Sequence, residues 1–230
     1  MRILAIDCSA GPASCAISED GKIIASAYVN VRLTHSQTLL PMVKNTLDTA
    51  LLKLDDIDAF AISNGPGSFT GIRIGISAVK GLAVPENKPC IPVSTLLATA
   101  YSHLGFDGIV CSVMDARCNQ VYGAFFKIKN GLVTRLTEDR AVMVSEIETE
   151  IKNYSDEKII ISGDGADLFS LFADNNKNVT IAKEPVKYQT ACGVALATSE
   201  CEAVSPDELK PFYLRLPQAE RELKAKGERN

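Results

Sequence analysis

The feature that most constrains this chain is a pattern of strands and helices that occurs twice. Residues 2–6 form an apolar run ending at Asp7, and residues 109–114 form a second run ending at Asp115. In both halves the predicted order is β-β-β-α-β-α. A repeat of about a hundred residues is too long for a solenoid. The sequence therefore predicts a duplicated α/β fold with two lobes and a cleft between them, and the alternative is a single mixed α/β domain.

The boundary between the lobes is predicted at the glycine-rich stretch GFDG, residues 105–108. This division gives a first lobe of residues 1–104 and a second lobe of residues 105–230. We expect the tail after about residue 211 to pack back on the first lobe. Within that tail, residues 218–227 carry charges of both signs and are predicted to form a solvated helix.

Composition excludes several classes of protein. The 230 residues carry a formal net charge of −4, whereas a protein that grips nucleic acid by itself needs a basic surplus. No apolar run is long enough to span a membrane. The cysteine count of 7 is odd and no CxxC motif occurs, so we expect reduced thiols and a cytoplasmic location.

The loop GPGSFTG, residues 65–71, was tested against two phosphate-binding templates. A dinucleotide fingerprint needs a glycine at the position of Thr70, and a Walker A loop needs Lys after Gly71. Both templates fail. Two alternatives stay open, an anion bound at the start of the following helix or a tight strand-to-helix turn.

Three helices are predicted in the first lobe, over about residues 39–54, 72–82 and 94–104. The second helix is apolar nearly all round, which indicates burial on two sides. One side would cover the sheet, and the other would meet either the first helix or a partner subunit. The candidate interface residues are His35, Leu39, Leu40, Val43, Leu47, Gly71, Ile72, Gly75, Ile76 and Val79.

The sequence predicts no catalytic, cofactor-binding or metal-binding residue. His35 has Leu39 where a helical zinc pair needs a second histidine, so it is expected to be a cap or surface residue. No serine lies in a GxSxG context. Asp7, Ser9 and Asp115 are the candidates for the cleft. The cysteines beside the two hairpins are predicted to be small buried strand residues, and they are Cys8, Cys15, Cys111 and Cys118.

Five segments together resemble the TsaB (YeaZ) family. Three of them are ILAIDCS at residues 3–9, THSQTLLP at residues 34–41 and GPGSFTGIRIG at residues 65–75. The other two are DAR at residues 115–117, with Val-Tyr at residues 121–122, and PFYLR at residues 211–215. Their order and spacing extend the resemblance over nearly the whole chain.

The resemblance implies an actin/Hsp70-like (ASKHA) two-lobed fold. It also implies a non-catalytic dimerisation or scaffold subunit of the bacterial complex that adds threonylcarbamoyl to N6 of the adenosine next to the tRNA anticodon. The implied partners are a paralogous, metal-bearing TsaD-type transferase, which binds the first-lobe helices, and a TsaE-type ATPase. The tRNA would be reached only through the complex, and the chain alone is expected to be a homodimer.

The paralogue carries an HxxxH metal pair where this chain has His35 and Leu39. We therefore expect no transfer by this chain alone, and weak or absent ATP binding. Two alternatives from other classes are a glycoprotease-like peptidase and an ATP-dependent kinase of the same fold, and a nucleotide titration separates kinase from scaffold. If Gly75 faces a partner, Gly75→Glu should abolish pairing while the lobes stay folded.

Overall fold

The computed structural model describes residues 1–215, which form two β-sheets. The first sheet has the order β3-β2-β1-β4-β5, in which β1–β3 pair antiparallel and β4 and β5 add in parallel. Its strands are β1 (Arg2–Asp7), β2 (Ala13–Glu19), β3 (Lys22–Val29), β4 (Ala59–Gly65) and β5 (Cys90–Ser94).

The second sheet repeats this arrangement. Its order is β11-β10-β6-β7-β8, with an antiparallel β6–β7 pair and parallel β10 and β11, so the predicted duplication is confirmed. The strands are β6 (Gly108–Arg117), β7 (Gln120–Lys129), β8 (Leu132–Arg135), β9 (Arg140–Met143), β10 (Ile159–Ser162) and β11 (Val179–Ile181). Residues 132–140 have the sequence pattern of a single strand, but the chain breaks within them, and β8 and β9 pair separately with β7.

Helices α1 (His35–Thr49) and α2 (Phe69–Ala83) cover one face of the first sheet. Strand β1 points Leu4 and Ile6 toward these helices and alternate residues toward the opposite face. A strand covered on both faces is apolar throughout, which explains the continuous apolar run at the N-terminus.

Helix α1 ends five residues earlier than predicted. The N–H of Leu52 donates to the carbonyl of Leu47 at 3.0 Å, and Leu51 adopts a left-handed φ of 57°. This is a Schellman-type helix end. Leu51 consequently points into solvent and is 91% exposed, although it falls inside the predicted helix.

The opposite face of the first sheet is covered by α3 (Thr95–Tyr101) and α6 (Ala191–Ala197). These helices approach closely, because a Cβ at Gly193 would lie 2.1 Å from the carbonyl oxygen of Ala98. Helix α6 thus packs on the first sheet although it comes after the second sheet in the chain. The lobe boundary at residue 104 stays a prediction.

The second sheet carries α4 (Val144–Ile151) and α5 (Ser170–Asp174). Residues 210–215 lie against the first lobe, where they contact β4 and α2. The helix predicted over residues 218–227 lies outside the described residues. Among residues 1–215, no helix has the length and apolar character needed to cross a bilayer.

Candidate functional site

A polar cleft of about 380 Å³ opens where the two repeats meet. One wall consists of the turn after β1 and the loop before α2, and the other consists of the end of β6 and the loop after β10. The lining residues include Ser9, Gly11, Gly67, Ser68, Phe69, Met114, Asp115, Arg117, Tyr122 and Asp164.

Asp7 lies beneath this cleft rather than in its wall, and it is almost fully buried. The backbone N–H of Ser9 donates to its Oδ1 at 3.1 Å, and the hydroxyls of Ser9 and Ser63 also donate to the carboxyl group. Burial raises the pKa of Asp7, while the hydrogen bonds from Ser63 and Ser9 oppose that shift. Asp7 therefore holds the turn after β1 against β4.

Asp115 and Asp164 are the two carboxylates that line the cleft. The Asp115 N–H donates to Oδ1 of Asp164 at 3.2 Å, and Arg117 lies 3.3 Å from the Asp115 carboxylate. Burial raises the pKa of Asp164 to about 6, and the charges of Asp115 and Asp7 act in the same direction. The cleft therefore contains a carboxyl group whose pKa lies above the ordinary range of aspartate.

Sequence reasoning missed Asp164, which is not among the predicted cleft residues. The usable signal was the repeat itself, since GDG at residues 163–165 corresponds to GPG at residues 65–67 and both loops reach the cleft. A cation entering the cleft would meet Asp115 and Asp164. Within residues 1–215, no three His, Cys, Asp or Glu side chains lie close enough together to hold a metal ion.

The GPGSFTG loop has the geometry of a tight turn. Ser68 caps α2 by accepting the N–H of Gly71 at 3.2 Å, and its own N–H donates to Ser9 at 2.7 Å. A Cβ at Gly71 would lie 2.0 Å from the carbonyl oxygen of Cys8. These contacts favour the tight-turn alternative, since the loop packs directly against the turn after β1.

A second concave surface, the helix groove, runs between α1 and α2 and has a volume of about 450 Å³. Its apolar part is formed by Leu40, which is 51% exposed, and by partly buried Ile74 and Ala78. The lining residues are His35, Ser36, Leu39, Leu40, Arg73, Ile74, Ser77 and Ala78.

Most of the predicted interface residues face the chain's own core instead. Of the ten, only exposed Leu40 and half-buried His35 remain on the surface. The other eight are buried against the first sheet or the neighbouring helix, and they are Leu39, Val43, Leu47, Gly71, Ile72, Gly75, Ile76 and Val79.

Gly75 illustrates the physical reason for this correction. A Cβ at this position would lie 2.5 Å from Sγ of Cys8 and 2.8 Å from Cδ1 of Ile62, so Gly75 faces the sheet. The two helices lie side by side on one face, and each uses its most apolar stripe to cover strands. A glutamate at position 75 would therefore disturb the first lobe itself rather than only a partner's binding surface.

His35 connects the helix groove with the cleft. Its Nε2 lies 2.8 Å from the carbonyl oxygen of Ala10, in the turn after β1. The cap of α1 is Thr34, which exchanges hydrogen bonds with Gln37 in a capping box. His35 is therefore neither the cap nor a fully exposed residue.

The hairpin cysteines divide into two groups. Cys8, Cys15 and Cys111 are buried as predicted, and burial raises the pKa of all three thiols, that of Cys15 to about 12. Cys118 is exposed instead, because it occupies the turn between β6 and β7 with a left-handed φ of 54°.

The chain is similar in sequence to proteins of one known pathway. Residues 30–220 match the family model described as TsaD, tRNA N6-adenosine threonylcarbamoyltransferase. The tRNA threonylcarbamoyladenosine biosynthesis protein TsaB of Bacillus subtilis (strain 168) is 30% identical over 96% of both chains. The TsaB protein of Escherichia coli (strain K12) is 40% identical over 65% of both chains.

Among solved structures, a Pseudomonas aeruginosa protein described as similar to peptidase YEAZ superposes with a TM-score of 0.75 and 26% identity. The match covers 93% of this chain and 99% of that one. The duplicated sheets and the interlobe cleft are those of the actin/Hsp70-like (ASKHA) fold, as predicted. From this fold, and from relatives matched along almost its whole length, the chain belongs to the TsaB family of tRNA threonylcarbamoyladenosine biosynthesis proteins.

Proposed function

We propose that this chain is a non-catalytic subunit of the complex that forms threonylcarbamoyladenosine in tRNA, and that it docks on a TsaD-type transferase through the helix groove. Family membership supports the pathway. The groove supports the mode of action, and exposed Leu40 beside Ile74 and Ala78 is the observation that carries it.

The groove has the composition of a helix-pairing surface. Its floor is apolar and its rim is polar, with Ser36 on α1 and Arg73 and Ser77 on α2. An apolar centre with a polar rim is typical of protein interfaces. Val31 and Leu33, in the segment immediately before α1, are also exposed. A paralogous subunit with the same two helices would complete a four-helix contact.

The remaining partners are inferred from this assignment. A TsaE-type ATPase joins the pair, and the tRNA is bound through the assembled complex in the cytoplasm, consistent with the chain's net charge of −4. In the absence of the transferase, the same groove would pair two copies of this chain.

The test is Leu40→Asp, assayed by calorimetry with the cognate TsaD-type transferase and by tRNA modification in the reconstituted system. Burying an unpaired carboxylate costs several kcal/mol, so binding should weaken by at least about 100-fold and modification should fall with it. Leu171→Asp is the matched control, because Leu171 is 77% exposed on α5, outside the groove.

Full-strength binding by Leu40→Asp would exclude the groove as the docking site. Size-exclusion chromatography of the chain alone tests self-pairing, since Leu40→Asp should shift a dimer to a monomer and Leu171→Asp should not. Transfer of threonylcarbamoyl by the purified chain without any transferase would contradict the non-catalytic assignment.

A further inference from the structure

Residues 210–215, here called the strap, lie against the end of β4. The Phe212 N–H donates to the carbonyl of Asn64 at 2.7 Å, and the Asn64 side-chain amide donates to the carbonyl of Lys210 at 3.3 Å. The approach is so close that a Cβ at Gly65 would lie 2.1 Å from the Phe212 oxygen. The backbone of the strap therefore packs closely against β4 of the first lobe.

The next strap residue, Tyr213, contacts the N-terminal part of α2. Its ring stacks on Phe69 with the centroids 4.7 Å apart, and its hydroxyl accepts a hydrogen bond from Nε of Arg73 at 2.7 Å. Phe69 lines the cleft and Arg73 lines the helix groove. Tyr213 thus contacts both surfaces of the candidate site.

The last two strap residues belong to the other side of the cleft. Leu214 packs against an apolar cluster that joins Met114 and Tyr122 of the second repeat to Ala10 of the first. Arg215 donates from Nη1 to the carbonyl of Ala116 at 3.1 Å. Within four residues the strap passes from the first repeat to the second across the rim of the cleft.

We infer that the strap is a latch that couples the spacing of the two lobes to the shape of the helix groove. Its described contacts on this side are one hydrogen bond, from Arg215 to Ala116, and the packing of Leu214 against the cluster shared by both repeats. Contacts as few as these open locally without global unfolding. When the second lobe moves, Arg215 and Leu214 move the strap, and Tyr213 then moves Arg73. The consequence for docking rests on the proposed function, whereas the coupling itself is a property of this chain.

The coupling is tested by changing one end of the strap and observing the other. In the full-length chain, Arg215→Ala removes the bond to Ala116, and hydrogen exchange is measured at the amides of residues 69–73. Those amides should exchange about fivefold faster, the weight of one net hydrogen bond. Lys177→Ala is the control, because it removes an exposed positive charge from the second lobe outside the strap.

Tyr213→Phe tests the reverse direction, since a coupling between two sites is reciprocal. It removes only the acceptor for Arg73 and should speed exchange at residues 115–117. Unchanged exchange at the distant end in both variants overturns the latch, whether or not the strap's own amides change. Affinity for the transferase is measured separately, and Arg215→Ala should lower it several-fold. A wild-type chain that binds no transferase refutes the proposed function and leaves the exchange result valid.

Discussion

The two lobes share a strand order but differ in the surroundings of the aspartate that ends the first strand of each. In the first lobe Asp7 is buried and bonded to Ser9 and Ser63. In the second lobe Asp115 lines the cleft and pairs with Arg117. The duplicated backbone therefore places one carboxylate as an internal brace and its counterpart at the surface of the cleft.

The helices differ as strongly. The first lobe has α1 and α2, each of 15 residues, side by side on one face. The corresponding connections of the second lobe contain α4 with 8 residues and α5 with 5. Because only long helices leave an extended surface after their inner stripe is buried, the docking surface is expected on the first lobe. The two lobes therefore share a strand order and differ in helix length.

The largest expected effect is on the free energy of unfolding and comes from disrupting the core of the first lobe. Gly75→Glu places a carboxylate against Cys8 and Ile62 and should destabilise the fold by more than about 3 kcal/mol. Gly81→Glu in the same helix is the control, since a Cβ there meets nothing within 4 Å, and its effect should stay within about 1 kcal/mol. Urea unfolding monitored by circular dichroism gives both values. If the Gly75→Glu variant unfolds cooperatively with the stability of the wild type, Gly75 faces the surface and not the sheet.

Next in size is a comparison of two buried serines. Ser63 donates to Asp7, so Ser63→Ala should cost about 1–3 kcal/mol by leaving a buried carboxyl group short of a donor. The Ser112 hydroxyl, in β6, is buried without a hydrogen-bond partner among residues 1–215, so Ser112→Ala should be neutral or slightly stabilising. The denaturant midpoints of the two variants, compared with that of the wild type, measure these losses of stability. Equal losses in both variants would mean that Asp7 has no special role as a brace.

The smallest effect concerns the cleft and depends on pH. The pKa of Asp164 rises from an ordinary 3.8 to about 6 on folding. Its contribution to stability is therefore complete below about pH 4 and is lost as the pH rises through about 6. Asp164→Asn cannot ionise, so the variant should gain about 1–2 kcal/mol relative to wild type between pH 4 and 7.

Urea midpoints at several pH values measure that difference. Asp156→Asn, an exposed carboxylate of the same lobe, corrects for the change in net charge. A constant difference between Asp164→Asn and wild type across this range would show that the cleft does not perturb Asp164.

Local pattern was sufficient for the element types and their order. Strand runs, turn residues and the helical period are properties of neighbouring residues, so the repeat and the division into two sheets could be predicted. Element ends were predicted less well. Leu51 has the spacing of a buried helical residue but takes a left-handed conformation at the end of α1. Likewise, residues 132–140 continue a strand pattern across a break that depends on contacts with β7.

The candidate site was predictable only in part. Asp115 and Ser9 line the cleft because the strand exits of a duplicated fold converge there, whereas finding Asp164 required the correspondence between the two loops. The segment PFYLR was used to identify the family, but its position across the cleft depends on partners more than 90 residues away, such as Ala116 and Arg73.

The sequence by itself determined the duplicated α/β order, the family and the apolar character of α2. Only the tertiary structure decided which side of α2 is internal. A helix that is apolar nearly all round has no single inward stripe, so its pattern does not distinguish sheet, neighbouring helix and partner. That choice was made by the packing of Gly75 against Cys8 and Ile62, which leaves Leu40, Ile74 and Ala78 in the groove.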